Sequence, residues 1–263
     1  MVGVMGCRRR LANPLLQRGL QSRLPFAAGS RQEPGMDVAI SFGGEALEPL
    51  ACGALWWPAG ATLFVADLHL EKASHFARAG WMLPPHDSAD TLGRLIDTVE
   101  SKAARRVVAL GDSFHDRDGP GRMTDAARTT LRLLTGNLDW WWITGNHDDD
   151  AAGRMGGRVL AEAVLGPFIL RHEAVPACAG PELSGHFHPK LVLRQRGRRL
   201  SRRCFAASAA RIILPAYGAL AGGLDVADAA IATALAGPGQ ALLRDGDRLL
   251  RFPIVPARNM MVT

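Results

Sequence analysis

The sequence predicts an α/β protein with a mainly parallel sheet in its first half and a more antiparallel sheet in its second. Largely apolar runs at 62–66, 106–110 and 139–144 each end in a polar motif, and each is followed by helix-forming sequence, so strand–motif–helix units recur three times. That order is expected of parallel strands joined by crossover helices. Beyond Gly185 the pattern changes to closely spaced short strands with turn signals. The length of 263 residues, 48% hydrophobic and 21% charged, gives a chain able to bury a sizeable core without covalent staples.

Each element has its own warrant. Val38 to Phe42 alternates at period two and meets Gly43-Gly44, a strand entering a hairpin turn. Residues 53–57 and 62–66 give two more strands around Pro58-Ala59-Gly60, the second apolar throughout, as for a strand buried on both faces. A short helix is expected over 71–79. A longer one is capped by Asp87 or Ser88, with Leu92, Leu95, Ile96, Val99 and Ala103 at helical spacing. Arg106 to Leu110 is the next buried strand, 124–134 an amphipathic helix, and 139–144 a Trp-rich strand. Residues 158–165 read as helical, and Phe168 to Arg171 as a short strand. Strands at 190–196, 199–207 and 210–215 follow, then a helix at 225–235 and a closing hairpin of 241–244 and 248–252 around an Asp-Gly turn.

The formal charge of +6 is local. Residues 1–35 hold six arginines against one acid, Glu33, and leave the rest of the chain near neutrality. This leader has the composition of a transit peptide or of a nucleic-acid-binding arm, and it also suits translated upstream sequence with Met36 as the true start. We expect the last, with one domain over 36–255 and a tail at 256–263. No apolar run approaches the roughly 18–20 residues that span a bilayer, so no membrane partner is expected. Cys7, Cys52, Cys178 and Cys204 have no short spacing, which suits reduced thiols in a cytoplasmic protein.

Five polar motifs stand in order: Asp67-Leu68-His69, Gly111-Asp112-Ser113-Phe114-His115-Asp116, Gly145-Asn146-His147-Asp148, Arg171-His172-Glu173 and Gly185-His186-Phe187-His188. In open α/β sheets ligands bind beyond the carboxyl ends of the strands, where these motifs fall. An extended backbone would point Asp67 and His69 to one face, and likewise His186 and His188. Gly111 permits a tight turn beside a ligand, and Asp112 offers two oxygens able to bridge two cations. The Asn146 amide oxygen suits a hard or borderline cation. His147, with Asp148 or Asp116 to orient it, is placed to protonate a leaving alkoxide. His115 reads as a loop residue or as a catalytic imidazole, and His172 is a ligand mainly through its place in the order. Together these donors can hold two divalent ions about 3.5–4 Å apart, the clamp for an in-line phosphoryl displacement.

The ordered set resembles the calcineurin-like metallophosphoesterase superfamily over residues 62–188. Leu68-His69-Leu70-Glu71-Lys72, the 111–116 motif and Leu214-Pro215-Ala216-Tyr217-Gly218-Ala219-Leu220-Ala221-Gly222-Gly223-Leu224 are similar to the bacterial ligase-associated DNA-damage-response endonuclease family, from about Met36 to 255. The resemblance implies a four-layer α/β/β/α sandwich of two mixed sheets with a dinuclear metal site at the strand ends. It implies one metal on Asp67, His69, Asp112 and His188, and another on Asp112, Asn146, His172 and His186, with Asp112 bridging. Mn²⁺ is the ion implied first, and Zn²⁺, Fe²⁺ or Ni²⁺ suit the same donors. A metal-bridging hydroxide would attack phosphorus, and a DNA ligase, helicase and exonuclease would be functional associates. The phosphoprotein phosphatases carry an acid three residues after the bridging aspartate, whereas here Asp116 comes one later. Gly-Asp-x-Phe-His instead resembles the SbcD-type repair nucleases, where that histidine is catalytic.

From Lys190 to Arg211 there are eight basic residues and no acids. Arg194, Arg196, Arg198 and Arg199 in that stretch are candidates for tracking a phosphate backbone, against the alternative of a solvated hairpin. Trp56, Trp57, Trp81 and Trp140 to Trp142 are expected in the core rather than as base-stacking platforms. The function expected is hydrolysis of nucleic-acid phosphodiester bonds, most simply of DNA in repair. A phosphoesterase for a small nucleotide and a non-catalytic scaffold are the alternatives.

Overall fold

A computed structural model describes residues 38–145, 152–175, 180–195 and 197–255, all within one unit that spans Met36–Thr263. The leader, Asn146, His147, Asp148, Arg196 and the tail at 256–263 lie outside the described residues.

Two seven-stranded sheets form the body. The first runs β1 (Ile40–Phe42), β2 (Glu45–Pro49), β3 (Leu55–Trp57), β4 (Thr62–Val65), β5 (Arg106–Leu110), β6 (Asp139–Ile143) and β7 (Arg158–Leu160) in that spatial order. Its first strands pair antiparallel, and β4 to β7 are parallel. The helices α1 (Lys72–Arg78) and α2 (Asp87–Lys102) lie between β4 and β5 in the chain, and α3 (Gly119–Arg122) and α4 (Asp125–Asn137) lie between β5 and β6. The second sheet takes β8 (Ala163–Leu165), β9 (Phe168–Leu170), β10 (Glu182–Ser184), β13 (Phe205–Ala207), β14 (Arg211–Ile213), β15 (Gly239–Asp245) and β16 (Arg248–Ile254). Its spatial order is 16-15-13-14-10-9-8, and β10 pairs parallel with both β9 and β14. A separate hairpin of β11 (Lys190–Gln195) and β12 (Arg198–Arg203), a short 3-10 helix at Ala152–Met155 and the helix α5 (Ala229–Leu235) complete the described elements.

Three apolar clusters correspond to the three interlayer spaces of a four-layer sandwich. One joins Leu63, Val65, Val107, Trp140 and Trp142 to Leu92, Leu95 and Leu131 of the helices on the outer face of the first sheet. The second, between the sheets, packs Phe42, Phe64, Val108 and Leu110 against Phe168, Leu183, Ile212 and Leu242. The third seats Ile231 and Leu235 of α5 on Ala206, Ile213 and Ala241. The tryptophans of the 139–144 run alternate, with Trp140 and Trp142 fully buried under the helices. Trp56 and Trp57 are buried as expected, and Trp81 is exposed. Among the described residues no helix is long and apolar enough to cross a membrane.

Several local expectations fail. Residues 158–165 are two strands, because Arg158–Leu160 pairs in parallel with β6 and Ala163–Leu165 pairs antiparallel with β9. Sheet pairing there overrides the helical propensity of its Ala, Glu and Leu. The run at 199–207 divides at Cys204 into a hairpin strand and a sheet strand. Neither Asp87 nor Ser88 caps α2; the cap is His86 in a left-handed conformation. Asp87 accepts instead from the Ala73 N–H at 3.1 Å, and the Ser88 hydroxyl bonds both the Glu71 N–H and its carboxylate at 2.8 Å. These buried bonds tie the loop after β4 to α2.

Phe168 is fully buried, with its ring 5.2 Å from Trp57 and 6.0 Å from both Phe42 and Phe64. Phe168→Ala should cost about 3–5 kcal/mol of stability, read as a lower urea midpoint at unchanged slope.

Candidate metal centre

The parallel pairing of β4 with β5 continues past the strand ends. Asp67 N–H donates to the Gly111 carbonyl at 3.1 Å, His69 N–H to Asp112 at 2.9 Å and Leu70 N–H to Ser113 at 2.9 Å. The first two motifs are therefore stitched side by side. The second sheet joins the same edge through a parallel bridge between Ala66 and Ala216 and a bond from Gly218 N–H to the Asp67 carbonyl. Gly185 N–H donates to the His172 carbonyl at 2.8 Å, which sets the fourth and fifth motifs side by side as well.

Asp67, His69, Asp112, His172, His186 and His188 converge here. His69 Nε2 lies 3.2 Å from His188 Nε2, and His188 Nε2 lies 3.4 Å from Asp67 Oδ1. His172 Nε2 is 3.5 Å from Asp112 Oδ1 and 3.1 Å from His186 Nδ1. The carboxylate of Asp67, which is fully buried, also accepts the His186 N–H at 3.0 Å. His172 Nδ1 lies 3.1 Å from the Leu110 carbonyl, which can only accept. That bond places the proton on Nδ1 and leaves Nε2 as the donor atom for a cation.

The backbone here is not extended. Asp67, His69, Asp112, His186 and His188 all have positive φ, between 42° and 72°. The alternation expected of Asp67-x-His69 and His186-x-His188 is therefore replaced by left-handed turns, which Asp tolerates better than most residues. Two glycines make the close approach possible. A Cβ on Gly111 would fall 2.1 Å from His172 Nδ1, and one on Gly145 would fall 2.4 Å from Asp112 Oδ1.

The donor set fits divalent cations. Asp67, His69 and His188 offer ligand atoms all within 4.8 Å of one another, and so do Asp67, Asp112 and His172. Carboxylate oxygen with imidazole nitrogen suits Mn²⁺, Fe²⁺ or Zn²⁺ without choosing among them. Asp67 belongs to both triads, whereas the sequence resemblance gives the shared role to Asp112.

His115 stands half-buried beside this cluster, its ring 5.8 Å from that of His69. It lies edge-on to His75 at 4.6 Å and against Phe76 at 5.4 Å, both from α1. Asp116 is bound by the Arg122 guanidinium at 2.6 and 2.9 Å and by His75 Nδ1 at 2.6 Å. Burial would raise its carboxyl, but hydrogen bonds from Arg122, His75 and the Asp118 N–H outweigh that and hold it well below the usual carboxylate range. Residues not singled out as site candidates thus join the site. His75 and Arg122 fix the loop of His115, and Glu173 lies 3.8 Å from His186 Nε2. Only the adjacency of Glu173 to His172 could have flagged any of them. Arg194, Arg198 and Arg199 are exposed on the hairpin.

No protein-family model matches the chain, and neither does any curated protein. Among solved structures it is similar to the nuclease MPE of Pseudomonas putida, with 32% identity, 81% of this chain and 98% of that chain covered, and a TM-score of 0.66. It also matches the phosphoesterase YfcE of E. coli at 16% identity, 73% and 98% coverage and a TM-score of 0.38, a likeness too low to bear on the site.

Gly145→Ala would drive a methyl group onto Asp112. It should weaken divalent-metal binding about 10–100-fold while circular dichroism stays unchanged, and calorimetric titration of the metal-free protein measures this.

Proposed function

The chain belongs to the metallophosphoesterase family that includes the Pseudomonas putida nuclease, and from that premise we propose a metal-dependent endonuclease acting on nucleic-acid phosphodiester bonds. It is a phosphoester hydrolase by membership. The observation that carries the finer reading is the convergence of six of the seven expected ligands at one sheet edge, with His115 beside them, in a chain similar to a nuclease.

Asp67, His69, Asp112 and His188 would hold one ion, and Asp112, Asn146, His172 and His186 the other. Two such ions, Mn²⁺ first among the candidates, supply Lewis acidity and ionise water at neutral pH. Around them the side chains divide the remaining work. His147 gives its proton to the leaving alkoxide, and Asp148 orients it. His115 reaches the scissile phosphodiester from the His69 side. Asp116 acts through others, since Arg122 and His75 already engage its carboxylate. Arg194, Arg196, Arg198 and Arg199 carry the strand by its phosphates. The resemblance extends the proposal to DNA repair in a bacterial cytoplasm, alongside a ligase, helicase and exonuclease.

The deciding experiment is a Mn²⁺-dependent screen of the purified protein against single-stranded DNA, duplex DNA, cyclic nucleotides and a small chromogenic diester. Cleavage confined to cyclic nucleotides would remove the endonuclease reading. His147→Ala should lower DNA cleavage about 10²–10⁴-fold with both metals retained, as measured by metal analysis. Arg198→Glu with Arg199→Glu should impair DNA cleavage more than hydrolysis of the small diester, and equal losses would point to a stability defect instead.

A further inference from the structure

A cavity of about 530 Å³, distinct from the metal centre, opens at the same edge of the sandwich. Its walls come from the β2–β3 turn, the end of β12 and start of β13, and the end of β15. Register fixes the shared edge. Leu55 at the start of β3 pairs with Phe64 near the end of β4, just before Asp67, and Ala206 near the start of β13 pairs with Ile213 at the end of β14. Four arginines line the cavity, Arg94, Arg202, Arg203 and Arg244, with one carboxylate, the exposed Asp245.

Among the described residues Arg94 and Arg203 have no carboxylate within ion-pair distance. Their partners are backbone carbonyls: Arg94 donates to Tyr217, and Arg203 to Cys52 at 3.4 Å and to Tyr217 and Gly218 at 3.5 Å. Arg94 Nε and Arg244 Nη1 are buried with no acceptor among the described residues. Burial and then the Arg94 charge lower the Arg203 pKa, and burial with the Arg203 and Lys72 charges lowers that of Lys190. Arg203 is thus repelled by Arg94, and Lys190 by Arg203, in a partly buried space where an anion would relieve the repulsion.

The hairpin continues the charge outward. Lys190 pairs with Arg203 and Arg194 with Arg199, like charges directly opposite one another. Since side chains alternate along a strand, Lys190, Arg194, Arg199 and Arg203 share one face, which runs from the exposed tip into the cavity. The Tyr217 and Gly218 carbonyls that Arg94 and Arg203 hold belong to the segment whose Gly218 N–H bonds Asp67, so the cavity wall and the metal centre share one loop.

We propose that this cavity is an anion subsite that seats a backbone phosphate of the substrate strand, away from the bond being cut. The proposal rests on the endonuclease reading. Guanidinium forks match phosphate oxygens, and the unpaired N–H groups find acceptors there.

The test compares wild type with Arg203→Gln and with Arg244→Gln, on a single-stranded oligonucleotide and on a small chromogenic diester. Arg244 Nε donates to the Gly246 carbonyl in its own hairpin rather than to the 217–218 loop, so its variant stays informative if Arg203→Gln disturbs the fold. Each variant should lose about tenfold in kcat/KM on the oligonucleotide relative to the diester, with a shallower dependence on salt. Equal losses on both substrates, or none, would overturn the subsite. If wild type hydrolyses the diester but not the oligonucleotide, the endonuclease reading itself fails. Inorganic phosphate added to the metal-free protein then decides the cavity alone. A thermal midpoint raised in wild type and not in Arg244→Gln supports an anion site, and no rise removes it.

Discussion

A fully buried carboxylate at the end of the central strand is the constraint around which this protein is arranged. Asp67 has no exposed surface, and among the described residues its side chain meets imidazoles and one backbone N–H. An isolated carboxylate in such a place is costly, and Asp112 beside it is nearly as buried. Positive charge must come to that edge, and four histidines deliver donor atoms there rather than fixed cations. Lys or Arg would neutralise the aspartates permanently. Imidazole nitrogens keep the place for a metal.

Holding these groups together strains the backbone. Five of the converging residues sit in the left-handed region, each at a cost of roughly 1–3 kcal/mol. Such conformations persist only where the surroundings over-determine them. Here the surroundings are the three apolar layers, the strand-like bonds that extend β4 and β5 past their ends, and the bridge from Ala66 to Ala216 that locks the second sheet to the first. The core thus works at a distance: Phe64, Phe168 and Leu183 pack the two sheets together, and at their shared edge the His186 N–H reaches the Asp67 carboxylate.

How far this was legible from the sequence follows from which interactions are local. Arg106–Leu110 and Asp139–Ile143 read directly, because after a charged first residue each strand is an apolar run that is mostly buried. The six described candidate residues were picked out by type and order, and they converge because strand ends meet wherever crossover units repeat. The left-handed turns at Asp67 and His188 were not legible, because nothing in Asp-x-His separates an extended backbone from a turned one. Residues 158–165 misled because the partners that make them strands, β6 and β9, are not neighbours of one kind: one belongs to each sheet. Arg94 was invisible for a related reason. It sits on α2, far in sequence from Arg203 and Arg244, and only the packing of three elements brings the guanidiniums together.

Charge and aromatic residues are partitioned in a way that narrows how a strand can be held. Trp56, Trp57, Trp140 and Trp142 are buried, so they present no face to a base. Trp141 is flanked by Arg106 and Arg158, at 5.3 and 5.6 Å from its ring, and is already stacked. The cations follow the opposite rule. Outside the leader the chain is close to neutral, yet one hairpin face and the cavity at its base gather Lys190, Arg194, Arg199 and Arg203 without matching acids. If the substrate is a nucleic acid, as proposed, a surface of that kind would read the regular spacing of phosphates rather than the edges of bases. On the proposed reading, the binding energy then comes mainly from counterion release and falls steeply with salt, while the choice of bond is left to whatever part of the strand can reach Asp67 and Asp112.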